Sequence, residues 1–123
     1  KNVPTKDIFT LIVENKKKIL FFKKPSIGIW GGLWTFPEFD KLPPTKKWLN
    51  KNLNAKKHIV RSEGEFIAKF THFKLRIFYQ HILLPDPINF DYSKDLYWIN
   101  RTKITDSAIP TPIKKMINEI TFS

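Results

Sequence analysis

There is no cysteine among the 123 residues of this chain. That excludes a disulfide framework, thiolate metal ligands, an iron–sulfur cluster and a cysteine nucleophile within these residues. Long apolar runs are missing as well: none approaches the roughly 20 residues of a membrane-spanning helix, and nothing in the opening residues resembles a signal peptide. A cytoplasmic location is the expectation. Carboxylates are the scarcer charge, 11 Asp and Glu against 22 Lys and Arg, for a formal net charge of +11. An excess of that size favours a polyanionic partner, most often nucleic acid, through counterion release. A merely lysine-rich composition produces the same number, and the geometry of the patch has to decide. The single methionine is Met116 and the chain opens on "KNVPTKD", so a piece of a longer polypeptide is expected.

What is present is enough for one folded domain. The apolar fraction of 41%, with 11 Phe, 4 Trp and 3 Tyr, is that of a chain with a core. "DIFTLIVE" (Asp7–Glu14) and "KILFFK" (Lys18–Lys23) read as a hairpin. Both are apolar at nearly every position, which predicts strands covered on both faces and hence a layered arrangement of helices and sheet. Three of the 4 glycines then crowd into "SIGIWGGLWTFPEF" (Ser26–Phe39). Gly28, Gly31 and Gly32 suit a tight turn beneath Trp30 and Trp34, and "WTFP" suits a buried strand. "LPPTKKWLNKNLN" predicts a helix over about 44–54 with Thr45 as N-cap. The run from His58 to Leu84 predicts two or three antiparallel strands, broken at "SEGE" and again near Thr71–His72. Within it Leu75, Ile77 and Tyr79 alternate with Lys74, Arg76, Phe78 and Gln80. "PDPINFD" reads as a loop and "DLYWIN" as a short strand. "IPTPIKKMINEI" predicts a helix over about 112–121, with Thr111 as N-cap and Ile113, Met116, Ile117 and Ile120 on one face.

Catalytic patterns are hard to find. His58, His72 and His81 have no zinc-ligand rhythm, no serine sits in a nucleophile-elbow pattern, and no G-K-[ST] follows the glycines.

The order of the motifs is more informative than any one of them. Lys24–Pro25, then "GIWGGLWTFP" (Gly28–Pro37), "FTH" (Phe70–His72) and "IPTPIKKM" (Ile109–Met116) follow in sequence. In that order they resemble the C-terminal domain of A/G-specific adenine DNA glycosylases, the MutY family. The resemblance implies an α+β, Nudix-like α/β/α sandwich, a mixed sheet flanked by the two helices. It implies a single domain over residues 1–123 and a preceding catalytic domain with a helix-hairpin-helix and a 4Fe–4S cluster, outside this chain. No cofactor is implied for the domain itself. The implied partners are double-stranded DNA carrying 8-oxoguanine:A mispairs and the preceding catalytic domain, with no membrane, in a bacterial, cytoplasmic and DNA-associated setting.

The parent protein is then a glycosylase, while the present segment is expected to be non-catalytic. A Nudix hydrolase needs a glutamate-rich R-E-x-x-E-E helix to bind Mg²⁺ after its glycine-rich strand. The corresponding stretch, Lys41 to Ser62, holds Lys41, Lys46, Lys47, Lys51, Lys56, Lys57 and Arg61 and no carboxylate. Two alternatives stand beside the leading one: a divergent Nudix hydrolase of oxidised nucleoside triphosphates, and a Nudix-like protein-interaction module.

8-Oxoguanine carries a carbonyl at C8 and N7–H where guanine has a bare acceptor, so a reader needs an acceptor at that edge. A hydroxyl can accept from N7–H and also donate to O8. In the family this role falls to the serine of an F-S-H loop, and here Thr71 occupies its place, with Phe70 and His72 shaping the loop. Lys69, Lys74 and Arg76 are candidates for phosphate contact, with Lys23 and Lys24 further off. Trp30 is a candidate for the interface with DNA or the catalytic domain.

Overall fold

A computed structural model of the chain describes residues 3–24, 31–88 and 95–120. The first two strands form the expected hairpin, β1 (Thr5–Asn15) and β2 (Lys18–Lys23), with Glu14 opposite Ile19 and Asn15 opposite Lys18. Their two-residue turn requires positive φ at both positions, and lysines fill it: Lys16 at 48° and Lys17 at 65°.

β1 and β2 pair only near that turn. Farther along, β2 pairs with β3 (Trp34–Thr35) and β1 pairs with β4 (Glu38–Phe39). The two strands therefore part like a wedge, filled by Trp34–Phe39. Of the expected "WTFP" strand only Trp34–Thr35 is strand; the separate β4 follows at Glu38–Phe39 with a different partner, and Thr35, Phe36 and Pro37 are buried at the joint. Just before it Gly32 adopts φ 79°, a conformation costly for any other residue, and donates its N–H to the Lys24 carbonyl at 3.2 Å.

On its other edge β1 runs parallel to β6 (Lys74–Leu83), from Thr5 opposite Lys74 to Glu14 opposite Leu83. β5 (Ile59–Lys69) pairs antiparallel with β6 and closes that side of the sheet, while β7 (Leu96–Asn100) pairs antiparallel with β2. The sheet is mixed, as expected.

The predicted break at "SEGE" does not occur: β5 runs through it, interrupted only by an irregularity between Val60 and Ser62. Gly64 stays in the strand because Tyr79 lies across it; a Cβ there would sit 2.6 Å from the Tyr79 hydroxyl oxygen. The break at Thr71–His72 is where it was expected.

Alternation along the buried strands divides them between two faces. Ile12, Ile19, Phe21, Leu75 and Ile77 face α2 (Thr111–Ile120), which contributes Ile113, Met116 and Ile117. Leu11, Val13, Leu20 and Ile82 face α1 (Thr45–Leu53), which contributes Leu49 with Trp48 and Leu53. A sandwich results because Phe9, Leu11 and Val13 on one face of β1 and Ile8 and Ile12 on the other are all apolar. Each fully buried side chain of this size contributes about 1.5–3 kcal/mol.

Two caps differ from expectation. Thr45 is the first residue of α1 rather than its N-cap; Pro44 caps without a side-chain bond, and the Thr45 hydroxyl donates to Gln80 Oε1 at 2.6 Å. Thr111 is likewise inside α2, because the Pro110 carbonyl already accepts from Lys114 N–H at 3.1 Å. A 3-10 helix over Arg101–Asp106 was not foreseen; Asn100 Oδ1 caps it from Thr102 N–H at 3.0 Å. Among the described residues no helix is long and apolar enough to cross a membrane.

Candidate nucleic-acid interface

The registers bring distant stretches to one end of the sheet. Thr5 opposite Lys74, Lys23 opposite Trp34 and Phe22 opposite Leu96 put the start of β1, the end of β2 and the β5–β6 turn there together.

The turn from Phe70 to Phe73 is closed by the Phe70 N–H donating to the Phe73 carbonyl at 2.9 Å. The two rings stack, centroids 4.5 Å apart and planes 12° from parallel, and pack against the α2-side core. With both rings turned inward, Thr71 and His72 are exposed at the tip. Neither side chain hydrogen-bonds within the described residues. Lys69 and Lys74 stand directly opposite each other at the base of the turn. Like charges in that position repel by a few tenths of a kcal/mol, a repulsion that an anion would relieve.

The other candidates are more engaged. Lys24 is part-buried and ion-paired to Glu38 at 3.1 Å, which ties the two sides of the glycine-rich stretch together. Its backbone N–H donates to the Leu33 carbonyl at 3.0 Å. The Lys23 ammonium lies 5.7 Å from the Trp34 ring centre, and Trp34 meets Tyr97 edge-on at 4.1 Å. Arg76 holds Asp7 through two hydrogen bonds, at 3.0 and 3.2 Å, and covers the Phe78 ring at 5.3 Å. The bond to Asp7 raises its pKa further above the ordinary arginine value. Trp30 lies outside the described residues.

The opposite end of the sheet holds a second polar cluster that sequence reasoning missed. Glu14 Oε1 accepts from His81 Nε2 at 2.9 Å, and Oε2 accepts from Arg101 Nη1 at 3.0 Å. The bond from His81 is the largest of the causes that hold the Glu14 carboxyl below its ordinary value, with the Arg101 charge assisting. Beside them Asn15 Nδ2 donates to the Leu84 and Asp86 carbonyls, both at 2.9 Å. Separations of 67 and 87 residues left no local signal for this cluster. Among the described residues no group of three or more His, Asp or Glu side chains is placed to hold a metal ion.

Comparison with known proteins places the chain beside a domain family, two relatives and two solved structures. A family model described as a NUDIX domain matches residues 8–119. The chain is 29% identical over 118 residues to the adenine DNA glycosylase of Buchnera aphidicola subsp. Baizongia pistaciae, covering 96% of this chain and 33% of that protein. With the adenine DNA glycosylase of Buchnera aphidicola subsp. Schizaphis graminum it shares 31% identity over 110 residues, 87% of this chain and 31% of that protein. The chain thus spans about a third of the length of these relatives. The C-terminal domain of mouse MUTYH, solved in complex with human PCNA, superposes with a TM-score of 0.71 at 21% identity, covering 91% of this chain and 84% of that one. The Nudix hydrolase RenU of M. smegmatis superposes at 0.66 and 14% identity, covering 94% and 85%. Likeness at that distance establishes the fold.

Proposed function

The chain belongs to the NUDIX domain family, and from its adenine DNA glycosylase relatives we propose that it is the lesion-recognition domain of such a glycosylase. It reads 8-oxoguanine opposite adenine in duplex DNA and does no chemistry itself. The glycosylase relatives support the parent activity. The observation that carries the reading is the β5–β6 turn, whose stacked rings face the core while Thr71 and His72 face out.

In this reading the Thr71 hydroxyl accepts from N7–H of the lesion and donates toward O8, an arrangement guanine cannot satisfy. His72 lies beside it, and Lys69 and Lys74 neutralise phosphates. Lys23 and Lys24 sit at the same end, but Lys24 serves Glu38 first. Pro4 lies beside the reader turn, its carbonyl accepting from Lys74 N–H at 2.8 Å. In this reading the same protein also has a catalytic domain that carries the iron–sulfur cluster, outside this cysteine-free chain. Excision requires a carboxylic acid that protonates the leaving base and a carboxylate that stabilises the sugar, and both belong to that domain.

The test compares adenine excision from 8-oxoguanine:A and G:A duplexes by the full-length enzyme and its Thr71→Ala variant. Loss of a discriminating contact costs about 1–3 kcal/mol, roughly 5- to 150-fold in the ratio of the two rates. An unchanged ratio removes Thr71 from the role. Turnover of 8-oxo-dGTP by the purified chain with Mg²⁺ or Mn²⁺ would instead make it a hydrolase. The absence of carboxylates from Lys41 to Ser62 stands against that outcome.

A further inference from the structure

The hairpin turn at Lys16–Lys17 plays no part in the reading above. A two-residue turn with positive φ at both positions favours Asn-Gly or Asp-Gly, because lysine enters the left-handed region only at a cost. Lysine nevertheless fills both positions, at 48° and 65°. Elsewhere the chain uses a favoured residue: the remaining described non-glycine residue with positive φ is Asn54, at 52° in the C-cap of α1. A turn selected for stability alone would carry Asn or Gly here too. What the two lysines add is charge.

That charge is presented to solvent. Both lysines are exposed, and neither side chain makes a hydrogen bond or ion pair among the described residues. Lys18 follows, opposite Asn100 of β7. The 3-10 helix is tied to the turn by Arg101 N–H, which donates to the Lys17 carbonyl at 2.9 Å, and it carries the exposed Lys103. The nearby carboxylates do not cancel this group. Glu14 is held by His81 and Arg101, and Asp86 lines a groove with Lys56 and Lys57. Asp106, at the far end of the 3-10 helix, offsets one charge at most. No large apolar side chain is exposed from Glu14 to Ile19 or from Asn100 to Asp106.

Exposed cations without an apolar anchor suit a phosphate backbone better than a protein surface, whose tight contacts rest on buried aromatic and aliphatic groups. The turn also points away from Phe70–Phe73. β1 and β6 run side by side from Thr5 opposite Lys74 to Glu14 opposite Leu83, so the two turns stand about 30 Å apart at opposite ends of the strands. We propose that the Lys16–Lys17 turn binds the phosphates of a second segment of duplex DNA while the Phe70–Phe73 turn is on the first. Holding two segments lets the protein pass from one to the other without release into solution. That the segment is a second one rests on the function proposed above; that the turn binds phosphate does not.

The test uses the full-length enzyme and its Lys16→Asn/Lys17→Gly variant, which supplies the residues the turn prefers and melts no lower than the parent. Two quantities are measured: the salt dependence of binding to undamaged duplex, and the rate of leaving a labelled 8-oxoguanine:A duplex as unlabelled undamaged duplex is added. The parent leaves about twofold faster or more across a roughly tenfold range of competitor, and the variant's rate stays flat. The salt slope of the variant is shallower by about two units, and that of Lys103→Gln by about one. Lys16→Arg/Lys17→Arg, which keeps the charge, retains both parental behaviours. An unchanged slope in the Asn-Gly variant overturns the phosphate contact. A shallower slope with competitor dependence intact puts the turn on the lesion's own duplex and overturns the second segment. If Thr71→Ala leaves discrimination unchanged while the slope falls at Lys16–Lys17, the reader turn loses its role and the phosphate contact stands.

Discussion

The two ends of this sheet both gather polar side chains, but they treat them in opposite ways. At the hairpin end Glu14, His81 and Arg101 bond one another in a largely buried clasp, and Asn15 ties β1 to the chain leaving β6. At the other end Phe70 and Phe73 occupy the interior and hold Thr71 and His72 in solvent. Burial favours a partner inside the protein, because an unsatisfied polar group costs about 1–3 kcal/mol, and in this cluster Asn15 Oδ1 is left without one. An exposed group is under no such demand and stays available for a ligand. The clasp therefore belongs to stability, and the tip of the turn stays open to a ligand.

That contrast breaks most readily at Glu14. Glu14→Ala leaves His81 and Arg101 facing each other without their carboxylate and lowers unfolding free energy by about 3 kcal/mol. Chemical denaturation measures it, and a loss below about 0.5 kcal/mol would remove the clasp from any structural role. The clasp also carries a pH signature. The Glu14 carboxyl is held below its ordinary value in the fold. Between its folded and unfolded values the unfolded chain binds more protons, so stability rises with pH in that window. Acidification through the lowered folded value removes the contribution, and Glu14→Gln flattens that part of the acid limb. Phe73→Ala comes next. It deletes half of a stacked pair that is only partly buried, with a loss of about 2 kcal/mol and a loosened turn.

The fold was far more legible than the clasp, for a physical reason. Strands and helices announce themselves through neighbours in sequence, so continuous apolar runs revealed a two-faced sheet and "IPTPIKKMINEI" revealed α2. The misreadings also have local causes. Thr45 and Thr111 are good N-cap residues, yet each stands one position inside its helix, next to a proline that takes the boundary. "SEGE" has the composition of a turn, but Tyr79 fills the space above Gly64 and keeps β5 extended. The clasp and the Arg76–Asp7 pair depend on the parallel register of β1 and β6, across nearly 70 residues, and no local pattern encodes that. The turn at Phe70–Phe73 was legible as a break; that its rings stack inward was not.

Smaller effects sharpen the recognition side. Lys69→Gln and Lys74→Gln remove one member of a like-charged pair, so stability is unchanged or slightly raised. If each lysine meets a phosphate, the salt dependence of DNA binding by the full-length enzyme becomes shallower by about one unit per substitution. An unaltered slope assigns that lysine to solubility alone.

The smallest stability change is expected at the residue to which the proposed function gives the most specific role. Thr71 is exposed, and its side chain makes no hydrogen bond within the described residues, so Thr71→Ala shifts unfolding free energy by less than about 0.5 kcal/mol. Under the proposed function its large effect falls on discrimination between 8-oxoguanine:A and G:A. Thr71→Ser separates hydroxyl chemistry from shape. Serine keeps the donor and acceptor, loses one methyl and gains χ1 freedom. If the hydroxyl reads the lesion, serine preserves discrimination and alanine does not. If serine and alanine behave alike, the methyl group or the backbone of the turn does the reading. Equal melting of all three proteins beside unequal discrimination would place Thr71 with the groups left available for a ligand.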